Sequence, residues 1–187
     1  VTPKMMYYDN PNHIWYAGSW FIKKKGYLPL HRGMNELDVG QYNKTIDVEY
    51  APTCCLLAKK EVFQDVGFMD ENYFIYFDDT DFSYRVWKDG RHKMLYYPNV
   101  EFYHKVGSLT KSFQKGTKKI YRGNFFLQQN TKNHIYFLKK IGGVFSYTFI
   151  VWLFFKNNIR FVVNPQIRKN ISTWWLINNS YFQGLIK

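Results

Sequence analysis

Residues 73–77 form a run of five apolar or aromatic side chains, and three carboxylates follow it at once: Asp78, Asp79 and Asp81. Apolar surroundings raise the pKa of a carboxyl group, and like charges in one site raise one of them further. A carboxylate that is held in place and partly desolvated can act as a general base. The same residues can instead cap a helix and complement its dipole. The spacing leaves both interpretations open, and the loose Asp-x-Asp metal motif at residues 79–81 is too short to decide between them.

The residue pattern around this run alternates between helix and strand. Gly67 and Gly90 each follow a helical pattern and predict its end. Pro52 predicts a bend or an edge within a strand, and Pro98 separates two further strands. Together, these helix and strand signals indicate an α/β or α+β arrangement. In chain order we predict loops and short strands over residues 1–45 with a polar surface loop over 31–40, a strand over 46–58, helices over 59–66 and 79–89, and strands over 92–97 and 100–104.

The composition limits both the size of the fold and the class of partner. The chain has 187 residues, 46% of them apolar and 21% aromatic, which is enough for one domain with a sizeable core. Its formal net charge of +12 favours an anionic partner: nucleic acid, acidic lipid or a phosphorylated substrate. The lysines are scattered and we find no nucleic-acid-binding motif, so we do not expect nucleic acid. Cys54 and Cys55 are the only cysteines and are adjacent, which favours a reducing cytosol over a disulfide framework.

The chain changes character near residue 112, where basic residues begin to dominate. We therefore place a boundary there, between residues 1–112 and residues 113–187. Residues 121–140 predict an amphipathic helix that Gly142 and Gly143 stop.

Residues 143–155 are almost wholly apolar and aromatic, and a polar break over residues 156–158 follows them. The segment is shorter than the about 20 residues that cross a bilayer. Three interpretations stay open: a buried core helix, a helix lying in the membrane interface, and a membrane span. Nearby tryptophans and basic side chains favour contact with an anionic membrane surface through residues 143–187.

Several motifs occur in an order and at a spacing similar to those of a known enzyme family. They are Pro3-Lys4, residues 47–63, residues 66–71, residues 73–85, Lys88-Asp-Gly90, Tyr97-Pro98, His104-x-x-Gly-Ser108 and Tyr121-Arg-x-Asn124. Together they resemble family 2 glycosyltransferases of the GT-A fold, with the rhamnosyltransferase type most similar. The resemblance implies an α/β fold: the C-terminal part of a GT-A type, Rossmann-like mixed sheet, followed by a helical, aromatic-rich tail.

The resemblance also implies roles for residues in the acidic run. Asp78 and Asp79 align with the family's acidic pair, whose second member is the general base. Asp79 is therefore expected to deprotonate the acceptor hydroxyl, and Asp81 to support the loop. His104 matches a histidine that in some members helps to bind the divalent metal, Mg²⁺ or Mn²⁺, which steadies the leaving diphosphate.

Contacts to the acceptor or to the sugar are expected from Thr53, Tyr76 and Arg85. Arg85 also has a simpler interpretation as the helical partner of Asp81. Two positions depart from the family pattern. Asp78 stands where Glu is common. Thr53 stands where Gly is usual, and its Cβ leaves less room for a close approach to the backbone near the expected sugar site.

In this family the metal-binding Asp-x-Asp follows a nucleotide-binding βαβ half, and no second Asp-x-Asp precedes residue 73 here. We therefore expect that half, with the main metal ligands, to lie outside this chain, and the chain by itself to be inactive. The expected activity is transfer of a sugar from a nucleotide-diphosphate donor to a hydroxyl of a glycan or lipid-linked acceptor. Its expected setting is bacterial surface polysaccharide synthesis, in the cytoplasm or on the inner face of the cell membrane. The alternative is a non-catalytic basic and aromatic module that binds a membrane surface or a glycan.

Overall fold

The computed structural model describes residues 1–106, 111–113 and 120–187. The chain divides into two compact units. The first contains Val1–Phe74 and Asp78–Val106, and the second contains Ile75–Phe77 and the described part of Gly107–Lys187. Three residues of the aromatic run thus belong to the second unit, although both of their neighbours in sequence belong to the first.

The strands and helices are numbered separately in chain order. The strands are β1 (Thr2–Tyr7), β2 (Asn10–Tyr16), β3 (Ser19–Ile22), β4 (Leu28–His31), β5 (Ile46–Val48), β6 (Met94–His104), β7 (Lys111–Phe113) and β8 (Ile120–Arg122). The helices are α1 (Lys60–Val66), α2 (Asp78–Asp89), α3 (Asn124–Ile141), α4 (Gly143–Val163), α5 (Pro165–Arg168) and α6 (Ile171–Ile186).

The first unit contains a four-stranded mixed sheet in the order β2-β1-β6-β5. β1 runs parallel to β6 and antiparallel to β2, and β5 runs antiparallel to β6. Phe82 and Val86 on one face of α2 are buried in the same core as Met5 and Tyr96 of the sheet. The fold is mixed α/β, as predicted, and this packing fixes the start of α2 beside the sheet.

The N-terminal residues are more ordered than the sequence predicts, because β1 is a buried inner strand of the sheet. The sequence pattern does not predict a buried strand here, because a charged residue, Lys4, lies in its middle. In the structure Lys4 is only 3% exposed. Its ammonium group donates to Asp38 Oδ2 and to Asn43 Oδ1, at 2.7 Å in each case. A buried charge persists when it is paired in this way. The predicted surface loop over residues 31–40 thus supplies Asp38, the carboxylate that pairs with the buried Lys4.

Two strand predictions are wrong in their limits. Residues 46–58 contain only the short strand β5, and a 3₁₀ turn over Thr53–Cys55 follows Pro52. Pro98 does not split the last strand of the sheet. Pro3 pairs with Tyr97 and Lys4 with Glu101, so β6 accommodates the proline in a bulge, where a missing N–H is tolerated.

The helix predictions before residue 142 are confirmed to within a few residues by α1, α2 and α3. The predicted polar break over residues 156–158 is wrong, because α4 continues to Val163. The Asn158 amide donates to the Phe154 carbonyl at 2.8 Å and to Asn178 Oδ1 on α6 at 3.1 Å. Asn158, which the sequence pattern marks as part of a loop, instead links α4 to α6.

The apolar segment over residues 143–155 is not a buried core helix. Only Ser146 and Ile150 are buried within the described side chains of α4. No helix in the described ranges combines the length and the apolar character needed to cross a membrane.

Candidate functional site

Asp79 lies in the first turn of α2, where the helix N-terminus meets the segment that follows β5. The hydroxyl of Tyr50 donates to Asp79 Oδ2 at 2.6 Å. The hydroxyl of Thr80 makes a weaker contact with Asp79 Oδ1 at 3.3 Å. One carboxylate oxygen is therefore held firmly by a buried tyrosine, and the other is held only loosely.

The surroundings of Asp79 make it a stronger base than an ordinary aspartate. Burial, and then the charge of Asp78, raise the pKa of Asp79 from 3.8 to about 6, against the opposing effect of the Tyr50 hydrogen bond. The residue keeps part of its surface accessible to solvent. At neutral pH the carboxylate is mostly ionised and can still accept a proton readily, which is the combination that general-base catalysis requires.

A row of aromatic rings extends from this carboxylate to His104. The ring of Tyr50 stacks on His31, with centroids 5.7 Å apart. His31 packs edge-on against Trp15 at 4.8 Å, and Trp15 lies 4.5 Å from His104. Burial lowers the pKa of His31 to about 4, so this ring is neutral at physiological pH. The fold thus gathers one predicted site residue at each end of a rigid aromatic cluster.

Sequence reasoning missed Tyr50 and His31. Tyr50 lies within the motif over residues 47–63, but the resemblance assigns it no role, and it is 29 residues from Asp79. His31 stands at the start of a stretch that reads as polar loop, yet it ends strand β4. No local spacing signals either contact, because a hydrogen bond or ring contact between distant segments depends on how the sheet is assembled.

Asp81 and Arg85 form a structural pair within α2. Asp81 is 1% exposed and accepts from Arg85 Nε at 2.8 Å and from the Tyr73 hydroxyl at 3.3 Å. The Arg85 guanidinium also donates to the backbone carbonyls of Val66, Gly67 and Phe68. These contacts agree with the interpretation of Arg85 as the helical partner of Asp81, and they tie α2 to the end of α1.

Thr53 lies in a short 3₁₀ turn whose neighbours face the start of α2. The backbone N–H of Ala51 donates to Ser83 Oγ at 3.2 Å. Cys54 is exposed, but its sulfur lies 3.6 Å from Met5 Sδ. Although the residue is exposed, desolvation of its thiol, followed by the charge of Asp79, raises the pKa of the Cys54 thiol to about 12, which argues against a nucleophilic role. The charge interaction of Cys54 with Asp79 places this turn near Asp79, and Thr53 itself is half-buried.

Tyr76 belongs to the second unit, where the tripeptide Ile75–Phe77 is anchored on α3. The buried amide of Asn133 donates to the carbonyls of Ile75 and Tyr76, at 2.8 and 3.0 Å. The ring of Tyr76 packs on Phe126 at 5.1 Å, and Phe77 stacks on His134 at 5.2 Å.

The backbone of the aromatic run is strained. Phe74, Tyr76 and Phe77 have φ values of 61°, 63° and 70°, a conformation that bulky residues rarely adopt. Such strain persists only when surrounding contacts hold it, and it is typical of functional sites. Here it lies in the four residues before the acidic turn.

His104 ends β6. Within the described ranges no three His, Cys, Asp or Glu side chains lie together as a cation site. Because the main metal ligands are expected outside this chain, the role of His104 as a metal ligand stays a prediction, and we derive no step through a metal. Gly107 and Ser108 of the His104 motif lie outside the described residues.

An open pocket of about 310 Å³ lies elsewhere in the first unit, at β5 and the start of β6. Its carboxylates are already engaged. Asp47 pairs with Lys93 at 2.8 Å, and Glu49 Oε2 accepts from the Phe21 N–H at 2.9 Å. Asp79 is not among its lining residues, so the candidate base lies outside this pocket.

Comparison of the chain with known protein families, with curated proteins and with solved structures finds no match. The similarity to family 2 glycosyltransferases therefore rests on the motifs of the sequence, and the assignment stays a prediction.

Proposed function

We propose that this protein is a glycosyltransferase that uses Asp79 as the general base. The donor is a nucleotide-diphosphate sugar, and the acceptor is a hydroxyl group of a glycan or of a lipid-linked saccharide. The resemblance of residues 73–85 to the acidic motif of family 2 supplies the reaction class. The local geometry of Asp79 supplies the reason to place the proton transfer on this residue.

The observation that carries the proposal is the environment of the Asp79 carboxylate. It is held by the Tyr50 hydroxyl at 2.6 Å, and burial beside Asp78 raises its pKa to about 6. A structural helix cap gains nothing from a raised pKa, since capping and the helix dipole both favour the ionised form. The raised pKa is a cost to the fold, and proton transfer explains why the site keeps it.

The proposed step is a simple one. The acceptor hydroxyl attacks the anomeric carbon of the donor sugar, the new C–O bond forms, and the bond to the diphosphate breaks. The hydroxyl proton passes to the Asp79 carboxylate. Tyr50 holds Oδ2, so Oδ1, with its weaker contact to Thr80, is the oxygen that can turn to the acceptor.

The test compares Asp79→Asn with the wild type, in the protein as its complete gene encodes it. General-base removal costs about 10²–10⁴-fold in rate, so transfer should fall by at least about 100-fold while donor binding stays within about twofold. Transfer within tenfold of the wild type would remove Asp79 from this role.

Asp78→Asn is the matched control, because it neutralises the adjacent carboxylate and spares the proposed base. It should keep transfer activity. Because Asp78 helps to raise the pKa of Asp79, the acidic limb of the rate profile should move to lower pH. Loss of transfer in Asp78→Asn, with activity kept in Asp79→Asn, would assign the base to the other aspartate.

A further inference from the structure

One face of α4 carries a continuous row of exposed apolar side chains, which we call the α4 stripe. Its members are 54 to 82% exposed and recur at steps of three and four residues, so they lie along one side of the helix. They are Val144, Tyr147, Val151, Phe155, Ile159 and Val162. The opposite face holds the buried Ser146 and Ile150. A helix in a self-contained core would bury such a row.

Helix α6 repeats the pattern. Ile171, Trp175, Phe182 and Ile186 are exposed and recur at helical spacing. The two helices pack against each other: the rings of Phe154 and Tyr181 lie 5.3 Å apart, and the Tyr181 hydroxyl donates to the Ile150 carbonyl at 3.1 Å. The α4 stripe and the apolar row of α6 therefore lie on two helices that pack against each other.

The two charged side chains of α4, Lys156 and Arg160, are both basic, and α6 has no charged side chain. Every Asp and Glu of the sequence lies in residues 1–101, whereas more than half of the Lys and Arg residues follow Glu101. On α4, the exposed side chains of Lys156 and Arg160 each come one position after a stripe residue, a rotation of about 100° around the helix. Lys156 therefore lies beside the stripe, and Arg160 lies further around the helix. The Lys156 ammonium lies 4.4 Å from the ring of Trp152, itself an exposed residue.

This combination identifies the occupant by its chemistry. An anionic bilayer surface offers an apolar layer for the stripe, a boundary that suits tryptophan, and phosphate groups that the long basic side chains of α4 can reach. A second copy of the chain would bring basic side chains of two α4 helices together without an acidic side chain on α4 or α6 to balance them. Nucleic acid would satisfy the charge and leave the apolar row exposed to water.

We propose that α4 and α6 form a docking face for a bilayer that contains anionic phospholipid, with the α4 stripe lying in the plane of the interface. The inference does not depend on the proposed sugar transfer, because it rests on exposure and charge in the C-terminal helices alone.

The experiment measures sedimentation of the whole 187-residue chain with vesicles of phosphatidylcholine, with or without phosphatidylglycerol. We expect binding to the anionic vesicles that weakens as salt is added. The double variant Val151→Ser/Phe155→Ser should partition at least about tenfold less, since each apolar side chain loses its transfer energy. The matched control Leu57→Ser/Phe68→Ser, at exposed positions of the first unit, should bind like the wild type.

The electrostatic part has its own pair of variants. Lys156→Gln/Arg160→Gln should weaken binding to anionic vesicles on the order of tenfold and leave binding to phosphatidylcholine unchanged. Lys59→Gln/Lys60→Gln removes the same charge from an exposed part of the first unit and should have little effect. Equal thermal melting of all four variants will show that each one is folded.

Three results would overturn the proposal. They are no sedimentation with anionic vesicles, equal binding by Val151→Ser/Phe155→Ser and the wild type, and binding that ignores both phosphatidylglycerol and salt. If the chain instead forms a dimer that Val151→Ser/Phe155→Ser dissociates without any change in vesicle binding, the stripe is an interface between copies and the membrane proposal is wrong.

Discussion

Asp79→Asn should make the protein more stable at neutral pH. The substitution removes a negative charge from a site that disfavours it and keeps the size of the side chain. The amide oxygen of Asn can still accept the hydrogen bond that the Tyr50 hydroxyl donates at 2.6 Å. A gain of stability together with a loss of transfer is what a functional carboxylate predicts, since active sites sacrifice stability for reactivity.

The magnitude follows from the shifted pKa. Burial and Asp78 raise the pKa of Asp79 from 3.8 to about 6 in the folded chain. Between these two values the folded state binds more protons than the unfolded state, so its stability falls as pH rises. Each pKa unit corresponds to about 1.4 kcal/mol, and the two-unit shift therefore costs up to about 3 kcal/mol above pH 6. Below about pH 4 this penalty disappears, because Asp79 is protonated in both the folded and the unfolded state.

Urea unfolding followed by circular dichroism measures this directly. The free energy of unfolding of the wild type and of Asp79→Asn is compared at about pH 4 and about pH 7. We expect the variant to gain up to about 3 kcal/mol relative to the wild type between the two pH values. Asp9→Asn, at an exposed turn, is the control and should show no such gain.

The reasoning fails if the difference between Asp79→Asn and the wild type is independent of pH. It also fails if Asp79→Asn is less stable than the wild type at neutral pH. A difference that does not depend on pH would mean that folding leaves the pKa of Asp79 unchanged. Lower stability of Asp79→Asn at neutral pH would mean that the fold stabilises Asp79 as an anion, as an ordinary helix cap does.

Two further substitutions test the packing. Gly184→Ala should destabilise the protein by about 1–3 kcal/mol. A Cβ at this position would lie 2.8 Å from Ile135 Cβ and would also meet the Lys132 carbonyl. An unchanged midpoint of urea unfolding would contradict the close approach of α3 and α6. Asp38→Asn should cost about 3 kcal/mol at neutral pH, because it leaves the buried Lys4 ammonium without its carboxylate. Desolvation is the largest single effect and opposes ionisation of Asp38. The Lys4 hydrogen bond, the Gly40 N–H and the Lys4 charge together outweigh it and hold the pKa of Asp38 below its usual value, so this stability is lost as pH falls below about 4. A gap between wild type and Asp38→Asn that stays constant on acidification would refute the pairing.

Local sequence patterns predicted a large part of the helical structure. The 3.6-residue spacing and the glycine stops placed α1, α2 and α3 within a few residues. These signals act between neighbours in the chain, so they can be read without knowing the distant partners. The acidic turn is different, because its spacing left a general base and a helix cap both open, and only the resemblance to a family selected Asp79.

Tertiary structure decided everything that depends on distant partners. Lys4 could occupy an inner strand only because Asp38 and Asn43 reach it from a separate loop. Helix α4 could continue through Asn158 because the side chain of Asn178, on α6, accepts a hydrogen bond from the Asn158 amide.

The sequence by itself therefore determined that a carboxylate follows an apolar run at a helix start. Only the assembled sheet decided that Tyr50 holds that carboxylate and that burial raises its pKa. The reason is physical: propensity and periodicity are local, whereas desolvation and hydrogen bonding across the fold depend on residues that the sequence keeps far apart.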